Sequence, residues 1–196
     1  MKKVLVAYAS MAGSTAEVAE AIGEELKKSD LEVDVKPITE VGTLDWYDGV
    51  VVGGPMILGW HRSALRFLKK NRSAFETTPL AIFVMAMNLT IVNERNMEGL
   101  NIHVDENLPK APRNEGRLSF RERYATISNY LRPILRATRP YIPATIGVFG
   151  GRMEYGRLKW WAVVFAMVIV QAQAGDRRDW NAIRLWAAKL PSLFRF

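Results

Sequence analysis

Short, mostly apolar segments separated by turn residues recur along the chain. Segments 3–8, 49–54 and 80–87 are nearly continuous in apolar residues, as strands buried on both faces of a sheet are. Segment 32–36 alternates with period two, which is typical of a strand with one exposed face or edge. Segment 144–149 is the fifth candidate strand. We therefore predict a sheet of five strands.

Amphipathic segments between these strands predict helices. Ser14 and Glu17 fit a capping box, a hydroxyl followed three residues later by a carboxylate, and apolar residues recur at helical spacing behind them up to Lys28. A second helix covers Ala64 to Leu68. Strands that alternate with helices in this way predict an α/β fold, in which helices cover both faces of a parallel sheet.

The regular alternation stops after the fourth strand. Residues 88–118 show no clear periodicity and form too long a connection for an ordinary turn, so we expect an irregular insertion that acts as a lid or rim, or else as a mobile excursion. A capping box at Ser119 predicts a helix to about residue 137, which Pro133 can kink. Two further helices are predicted at 157–173 and 180–190. Without repeats or linkers, residues 1–196 are predicted to form one domain.

The predicted topology places three loops at one edge of the sheet. Ligands of open parallel sheets bind at the carboxyl ends of the strands, near the point where the strand order reverses. Residues 10–15, 53–62 and 85–90 follow the first, third and fourth strands. We expect these loops to surround a single site.

Composition restricts the chemistry available to that site. The 196 residues include no Cys and two His, which excludes thiolate nucleophiles and Cys-ligated zinc or iron–sulfur centres within this chain. His61 and His103 are too few for a His-rich metal site, and no metal is expected. Any redox chemistry would therefore need an organic cofactor. The sequence identifies no catalytic acid or base.

Positive charge is concentrated in the second half of the chain. The net charge is +7, yet residues 1–90 carry ten basic and eleven acidic side chains, against seventeen and nine in residues 91–196. Most of the excess lies in 110–160, which predicts an anionic partner, either an acidic ligand or an anionic membrane surface, unless the segment is only a solubilising face. No aromatic–basic RNA motif or helix-turn-helix signal is present, so nucleic acid is not expected.

The apolar segments are too short to act as membrane signals. Residues 4–9 are fewer than the roughly 7–15 of a signal-peptide core, and the longest apolar run, 160–170, is well below the ~20 residues that span a bilayer. The latter run is predicted as a buried helix, with an interfacial membrane contact as the alternative. We expect a cytoplasmic location, with peripheral binding at the inner face of the cell membrane as the variant.

The first of the three loops has the character of a phosphate site. Backbone N–H groups at a helix start, flanked by hydroxyls, hold a phosphate dianion without a cationic side chain. The segment lacks both the Gly-Lys-Ser/Thr of an ATP loop and the three-glycine dinucleotide pattern, which favours a phosphate monoester. Simple helix capping is the alternative. The candidate residues are Ser10, Met11, Ala12, Gly13, Ser14 and Thr15.

This Ser-x-x-Gly-x-Thr segment resembles the FMN-phosphate loop of the flavodoxin family, Thr/Ser-x-Thr-Gly-x-Thr, with Ala12 in place of a hydroxyl residue. The resemblance implies a flavodoxin-like three-layer sandwich, with a five-stranded parallel sheet in the order 2-1-3-4-5 and helices on both faces. It also implies FMN as the cofactor. Ser10, Ser14 and Thr15 would then hold the phosphate.

In flavodoxins the second and third loops surround the isoalloxazine ring. The resemblance implies that glycine at 53 and 54 allows close approach and peptide reorientation, and that Trp60 stacks on the ring, unless it is a core or rim aromatic. His61 is either a neighbour of the flavin or an ordinary surface histidine. The candidate ring-binding residues are Gly53, Gly54, Pro55, Met56, Gly59, Trp60, Met87 and Asn88.

Along most of its length the chain is similar to the flavodoxin-like bacterial protoporphyrinogen dehydrogenases that use menaquinone. The shared features are Gly54 and Gly59 before Ser63-Ala64, Asn88-Leu89, and the Gly150–Trp161 stretch after the fifth strand. This similarity implies an FMN-dependent oxidoreductase that passes electrons between an organic substrate, with protoporphyrinogen as a candidate, and a quinone-like acceptor.

Two other functions remain open. One is a soluble flavodoxin-type electron carrier, although such carriers are usually strongly acidic. The other is a flavodoxin-fold binding module that has lost its flavin. The expected partners are a quinone or a redox protein, with a second copy of this chain forming a homodimer as a further candidate.

Overall fold

The computed structural model describes residues 1–56, 59–92, 99–114, 117–153 and 175–196. Ten strands are assigned in these ranges: β1 Lys3–Tyr8, β2 Glu32–Pro37, β3 Gly49–Pro55, β4 Leu80–Ala86, β5 Leu89–Thr90, β6 Ile102–Val104, β7 Pro109–Lys110, β8 Thr145–Gly150, β9 Arg152–Met153 and β10 Gly175–Asp176. The main sheet has the order β2-β1-β3-β4-β8-β6, and every pair in it is parallel. The α/β fold and the order predicted for the five strands are confirmed, with β8 in fifth place.

A sixth strand extends the predicted sheet. β6 pairs with β8 through the registers Ile102↔Ile146 and Val104↔Val148. It comes from the segment 88–118 that was expected to be irregular, and the same segment supplies β5 and β7, which pair with each other. Seven of the described residues of this segment therefore lie in short strands. Strands of two or three residues are too short to produce a readable periodicity.

Six α-helices are assigned in the described ranges: α1 Ser14–Lys27, α2 Arg62–Lys70, α3 Phe120–Tyr124, α4 Ile127–Thr138, α5 Trp180–Ala188 and α6 Leu190–Leu193. Helices α2 and α4 bury apolar residues with one face of the sheet, and α1 and α5 do so with the other. This is the expected three-layer sandwich. No helix in the described residues is long and apolar enough to cross a membrane. The helix predicted at 157–173 lies outside those residues.

Side-chain capping explains where α3 and α4 begin. The Ser119 box forms as predicted, because Ser119 Oγ accepts from the Glu122 N–H at 3.3 Å while Glu122 accepts from the Ser119 N–H at 2.7 Å. Hydrogen bonds to the Glu122 carboxylate from the Arg113 N–H, and from the hydroxyl and N–H of Ser119, lower the pKa of Glu122 to about 2. The helix that follows divides at Ala125 and not at Pro133, because Thr126 caps a new helix, α4, by accepting from the Asn129 N–H.

The capping box predicted at Ser14 does not form. The N-cap of α1 is Gly13, which has a φ of +89° and gives no side-chain cap. Ser14 is therefore the first helical residue, and its hydroxyl does not cap the helix. The prediction was one residue out of register because the glycine conformation, not a hydroxyl, starts this helix.

Candidate functional site

The loop after β1 forms an open helix N-terminus at the carboxyl edge of the sheet. Ser10 Oγ accepts a hydrogen bond from the Gly13 N–H at 3.0 Å, which closes the loop just before α1. The first N–H groups of a helix have no partner within the helix, and here no side chain caps them. The first N–H groups of α1, those of Ser14 and Thr15, therefore have no capping side chain in the loop that was predicted to bind an anion.

The loop after β3 lies beside this first loop. The Ala9 N–H donates to the carbonyl oxygen of Gly53 at 2.9 Å, which ties the ends of β1 and β3 together. Farther on, the Met56 N–H donates to the Met85 carbonyl oxygen at 2.8 Å. Three of the predicted loops thus begin at one edge, as expected from a parallel sheet. Pro55 lies between these two contacts at the end of β3.

The glycines of the second loop make room for aromatic side chains of the protein. A Cβ on Gly53 would lie 1.8 Å from the Phe83 ring, and a Cβ on Gly54 would lie 3.1 Å from Trp60 Nε1. The packing of these two rings therefore accounts for the absence of a side chain at both positions. The expected approach of a flavin to the backbone of Gly53 and Gly54 stays a prediction.

Trp60 is a core residue and not an exposed one. Its side chain is 2% exposed, and its Nε1–H donates to the Gly54 carbonyl oxygen at 3.0 Å. Residues Met56 and Trp60 also form an antiparallel bridge that closes the second loop. A ring that stacks on a flavin must offer an open face. The predicted stacking role is therefore not supported, and the alternative of a core aromatic describes Trp60 correctly.

Gly59 gives the second loop its turn and a fixed backbone contact. Its φ is +89°, a conformation that favours glycine, and a Cβ there would meet no atom within 4 Å. Its N–H donates a hydrogen bond to the Tyr124 hydroxyl oxygen. Tyr124 belongs to α3, in the part of the chain where the sequence suggested no site residue.

His61 follows the second loop as the N-cap of α2. Its Nδ1 accepts from the Ser63 N–H at 3.3 Å and lies 2.8 Å from Ser63 Oγ. Burial, assisted by the positive charge of Arg66, lowers the pKa of His61. A neutral imidazole can accept these hydrogen bonds, so the structure assigns His61 a helix-capping role.

The loop after β4 is held from two directions. The Tyr130 hydroxyl donates to the Asn88 carbonyl oxygen at 2.8 Å, and Arg177 Nη1 donates to the Met87 carbonyl oxygen at 3.0 Å. The same Nη1 lies 3.3 Å from Asn88 Oδ1. Met87 is buried and Asn88 is half-buried. These contacts fix the orientation of the third predicted loop.

The two tyrosines that hold the loops pack against each other. The rings of Tyr124 and Tyr130 meet edge to face, with centroids 6.2 Å apart. Burial raises the pKa of both phenols, so both remain protonated at neutral pH. Tyr124, Tyr130 and Arg177 were missed by the sequence analysis. Their partners are 42 to 90 residues away along the chain, and no local motif marks such contacts.

The basic segment 110–160 exposes most of its described basic residues, which lie on α3, α4, β7 and the loops beside these elements. Apolar side chains accompany it, because Phe120 is 75% exposed and Ile91 is 56% exposed. The Ile91 N–H donates to the Lys110 carbonyl oxygen, so these two residues are adjacent. Arg157 and Lys159 lie outside the described residues. The exposed basic residues of the segment are Lys110, Arg113, Arg117, Arg121, Arg123, Arg132, Arg136 and Arg139.

Solved structures resemble this chain mainly in fold. The structure of a flavodoxin from the domain Archaea shares 11% sequence identity, covers 99% of both chains and gives a TM-score of 0.50. Oxidised flavodoxin 1 from Bacillus cereus shares 23% identity with this chain and gives a TM-score of 0.35. The match covers 43% of this chain and 61% of the Bacillus cereus chain, less than two thirds of the latter's length. The Fusobacterium nucleatum flavodoxin mutant K13G, solved bound to flavin mononucleotide, shares 11% identity over 74% of this chain and 68% of its own, with a TM-score of 0.44.

The search of curated proteins found no significant match. The similarity to the archaeal flavodoxin structure supports the fold independently of local motifs. The family model for the flavodoxin domain matches residues 5–179, most of the chain, and the chain therefore belongs to the flavodoxin-domain family.

Proposed function

We propose that this protein binds FMN at the carboxyl edge of its sheet and acts as an FMN-dependent oxidoreductase. The observation that carries the proposal is the uncapped N-terminus of α1, which begins at Gly13 directly after β1. Unpaired N–H groups and the helix dipole favour a phosphate dianion at such a position. Because the chain belongs to the flavodoxin-domain family, FMN is the phosphate ester that we expect to bind there.

In this proposal the three loops have different roles. The N–H groups of Met11, Ala12, Ser14 and Thr15, with the Ser14 hydroxyl, hold the phosphate. The Gly13 N–H donates to Ser10 Oγ instead, and this bond keeps the loop closed. The backbone of Gly59 and Asn88, held by the two tyrosines, borders the ring. Bound FMN supplies the electron chemistry, whereas the protein sets its orientation and access. Trp60 supports the second loop from within the core and makes no contact with the ring.

The finer part of the proposal concerns the electron partners. We infer that electrons pass between an organic substrate and a quinone-like acceptor, with protoporphyrinogen as the first substrate to test. The support is the exposed basic surface, since guanidinium groups bind carboxylates bidentately. The flanking side chains of Ile91 and Phe120 would suit a membrane-dissolved acceptor.

Titration of the purified protein with FMN, followed by absorption and by flavin fluorescence, tests the cofactor. We expect saturable binding with one FMN per chain. A matched pair of variants tests the loop. Gly13→Ala forces a side chain into a left-handed conformation and should weaken binding, whereas Gly42→Ala, where a Cβ meets nothing within 4 Å, should leave it unchanged. Absence of binding by the unaltered protein would overturn the proposal and favour a binding module without flavin.

Turnover assays with the FMN-loaded protein test the reaction. We expect oxidation of protoporphyrinogen with menaquinone as acceptor, at a rate that falls as salt screens the basic surface. Flotation with vesicles of anionic and of neutral lipid tests the membrane contact, and we expect binding to the anionic vesicles only. A fully loaded protein that reduces redox proteins but turns over neither compound would identify an electron carrier.

A further inference from the structure

Glu17 places a negative charge close to the proposed phosphate loop. It lies in the first turn of α1, one turn after the N-cap Gly13. The Cα–Cβ bonds of an α-helix tilt toward its N-terminus, so the Glu17 side chain leaves the helix in the direction of the loop. An acidic group there interacts favourably with the helix dipole but repels a phosphate dianion. A phosphate site at this position therefore needs the charge of Glu17 to be offset.

Two arginines from distant parts of the chain provide opposite charges. Arg178 Nη1 lies 2.7 Å from Glu17 Oε2, and Arg152 Nη1 lies 3.6 Å from Glu17 Oε1. Each carboxylate oxygen thus faces its own guanidinium group. The Arg178 side chain is only 3% exposed, although 161 residues separate it from Glu17 in the sequence. The Glu17 side chain is 41% exposed, so water and salt screen its charge in part, and the buried Arg178 is the better shielded partner.

The guanidinium group of Arg178 is held in a single orientation. Its Nε and Nη2 donate to the two carboxylate oxygens of Asp176 at 2.8 and 2.6 Å. Its Cζ lies 4.5 Å from the centre of the Trp180 ring, in cation–π geometry. Asp176 and Trp180 therefore orient Nη1 toward α1. A bidentate carboxylate and an aromatic face suit the planar guanidinium group and not an ammonium group.

We propose that Arg178, with Arg152, neutralises Glu17 and thereby keeps the first turn of α1 able to bind the phosphate of a flavin nucleotide. Arg178 is a positioning residue that acts through Glu17 and does not touch the ligand itself. The inference rests on the proposed FMN function and adds a determinant of its preference for a phosphorylated flavin. A purely mechanical link between the C-terminal segment and α1 is the competing explanation.

A double-mutant cycle separates the two explanations. The affinities of FMN and of riboflavin, which lacks the phosphate, are measured for the unaltered protein, Glu17→Gln, Arg178→Gln and the double variant. We expect Arg178→Gln to weaken FMN binding roughly tenfold. The variant leaves one unit of negative charge uncompensated near the protein surface, within about 10 Å of the FMN phosphate dianion. Riboflavin binding should change less than about twofold, because a neutral ligand does not respond to that charge.

The other variants complete the cycle. Glu17→Gln alone should bind FMN at least as tightly as the unaltered protein. The double variant should recover most of the affinity that Arg178→Gln loses, because the uncompensated carboxylate is gone. Arg178→Lys keeps the charge but not the fork geometry and should retain more FMN affinity than Arg178→Gln. Thermal unfolding without ligand identifies any variant that fails to fold, and the remaining variants still test the cycle.

The outcomes also distinguish this inference from the function on which it rests. If the unaltered protein binds no FMN, the proposed function fails before any variant is made. If it binds FMN more tightly than riboflavin and Arg178→Gln keeps that preference, only the present inference is overturned. The same conclusion follows if Arg178→Gln weakens both ligands equally, or if the double variant recovers nothing, because a mechanical link predicts both results.

Discussion

The hydroxyl of Tyr124 accepts a hydrogen bond from the backbone N–H of Gly59, which is 65 residues earlier in the chain. Next to it, the Tyr130 hydroxyl donates to the carbonyl oxygen of Asn88. One edge-to-face pair of tyrosines thus holds the second and third loops of the candidate site at once. The segment that follows the inserted strands is therefore part of the framework of the site.

Tyr124→Phe should loosen the second loop without unfolding the protein. The variant removes the partner of the Gly59 N–H but keeps the ring that packs on Tyr130. We expect the free energy of unfolding to fall by about 1 kcal/mol and FMN affinity to fall several-fold. Chemical denaturation and FMN titration measure the two effects. Tyr141→Phe, which loses one hydrogen bond to Glu76 away from the loops, is the matched control and should leave FMN affinity unchanged.

Gly53→Ala should destabilise the core whether or not a flavin is bound. The added Cβ would lie 1.8 Å from the Phe83 ring, and neither the strand nor the buried ring can move away easily. Overpacking of this kind lowers the free energy of unfolding by about 1–3 kcal/mol. Chemical denaturation without ligand measures the loss, with Gly42→Ala as a control in open space. Equal stability of the two variants would show that the space beside Gly53 is not filled by Phe83.

The arrangement of the sheet could be read from the sequence because its central strands are buried on both faces. Strands β1, β3 and β4 consist almost entirely of buried residues, and such runs stand out from amphipathic helices. β6 could not be predicted, because three half-buried residues around His103 carry no such signal. The edge strand β6 was therefore the part of the main sheet that sequence patterns did not predict.

The candidate site was predictable only in its local parts. The loop from Ser10 to Thr15 is contiguous, so its hydroxyls and glycine identify it, although the start of the helix was misplaced by one residue. The side chains that hold the loops come from distant segments, as in the contact of Arg177 with Met87 across 90 residues. The sequence left two placements open for Trp60, because an aromatic residue after a glycine loop has the same sequence signature whether it faces a ligand or the core.

Trp60→Phe should reveal a structural role for the indole N–H. The Gly54 carbonyl oxygen would lose its buried donor, which costs about 1–3 kcal/mol of unfolding free energy. Trp46 is 75% exposed, so Trp46→Phe should change stability by less than about 0.5 kcal/mol. Chemical denaturation of both variants measures the difference. Similar losses at the two positions would contradict the buried placement of Trp60.

The stability of the protein should fall as the pH drops below the usual pKa of histidine. Burial lowers the pKa of His61, so the folded state binds fewer protons there than the unfolded state does. The stabilisation is therefore fully present above a pH of about 6.5 and is lost as the pH falls through the lower folded pKa. Protonation also removes the acceptor for the Ser63 N–H and places a positive charge at the N-terminus of α2.

His61→Asn tests this titration, since asparagine caps a helix without titrating. Denaturation at pH 8 and pH 5.5 should show a smaller loss of stability on acidification for the variant than for the unaltered protein. Some loss should remain, because burial also lowers the pKa of His103. His103→Asn is the matched control, and the double variant should show the weakest pH dependence of the four proteins. If His61→Asn instead loses as much stability between pH 8 and pH 5.5 as the unaltered protein does, the assignment of a neutral His61 as the cap of α2 is wrong.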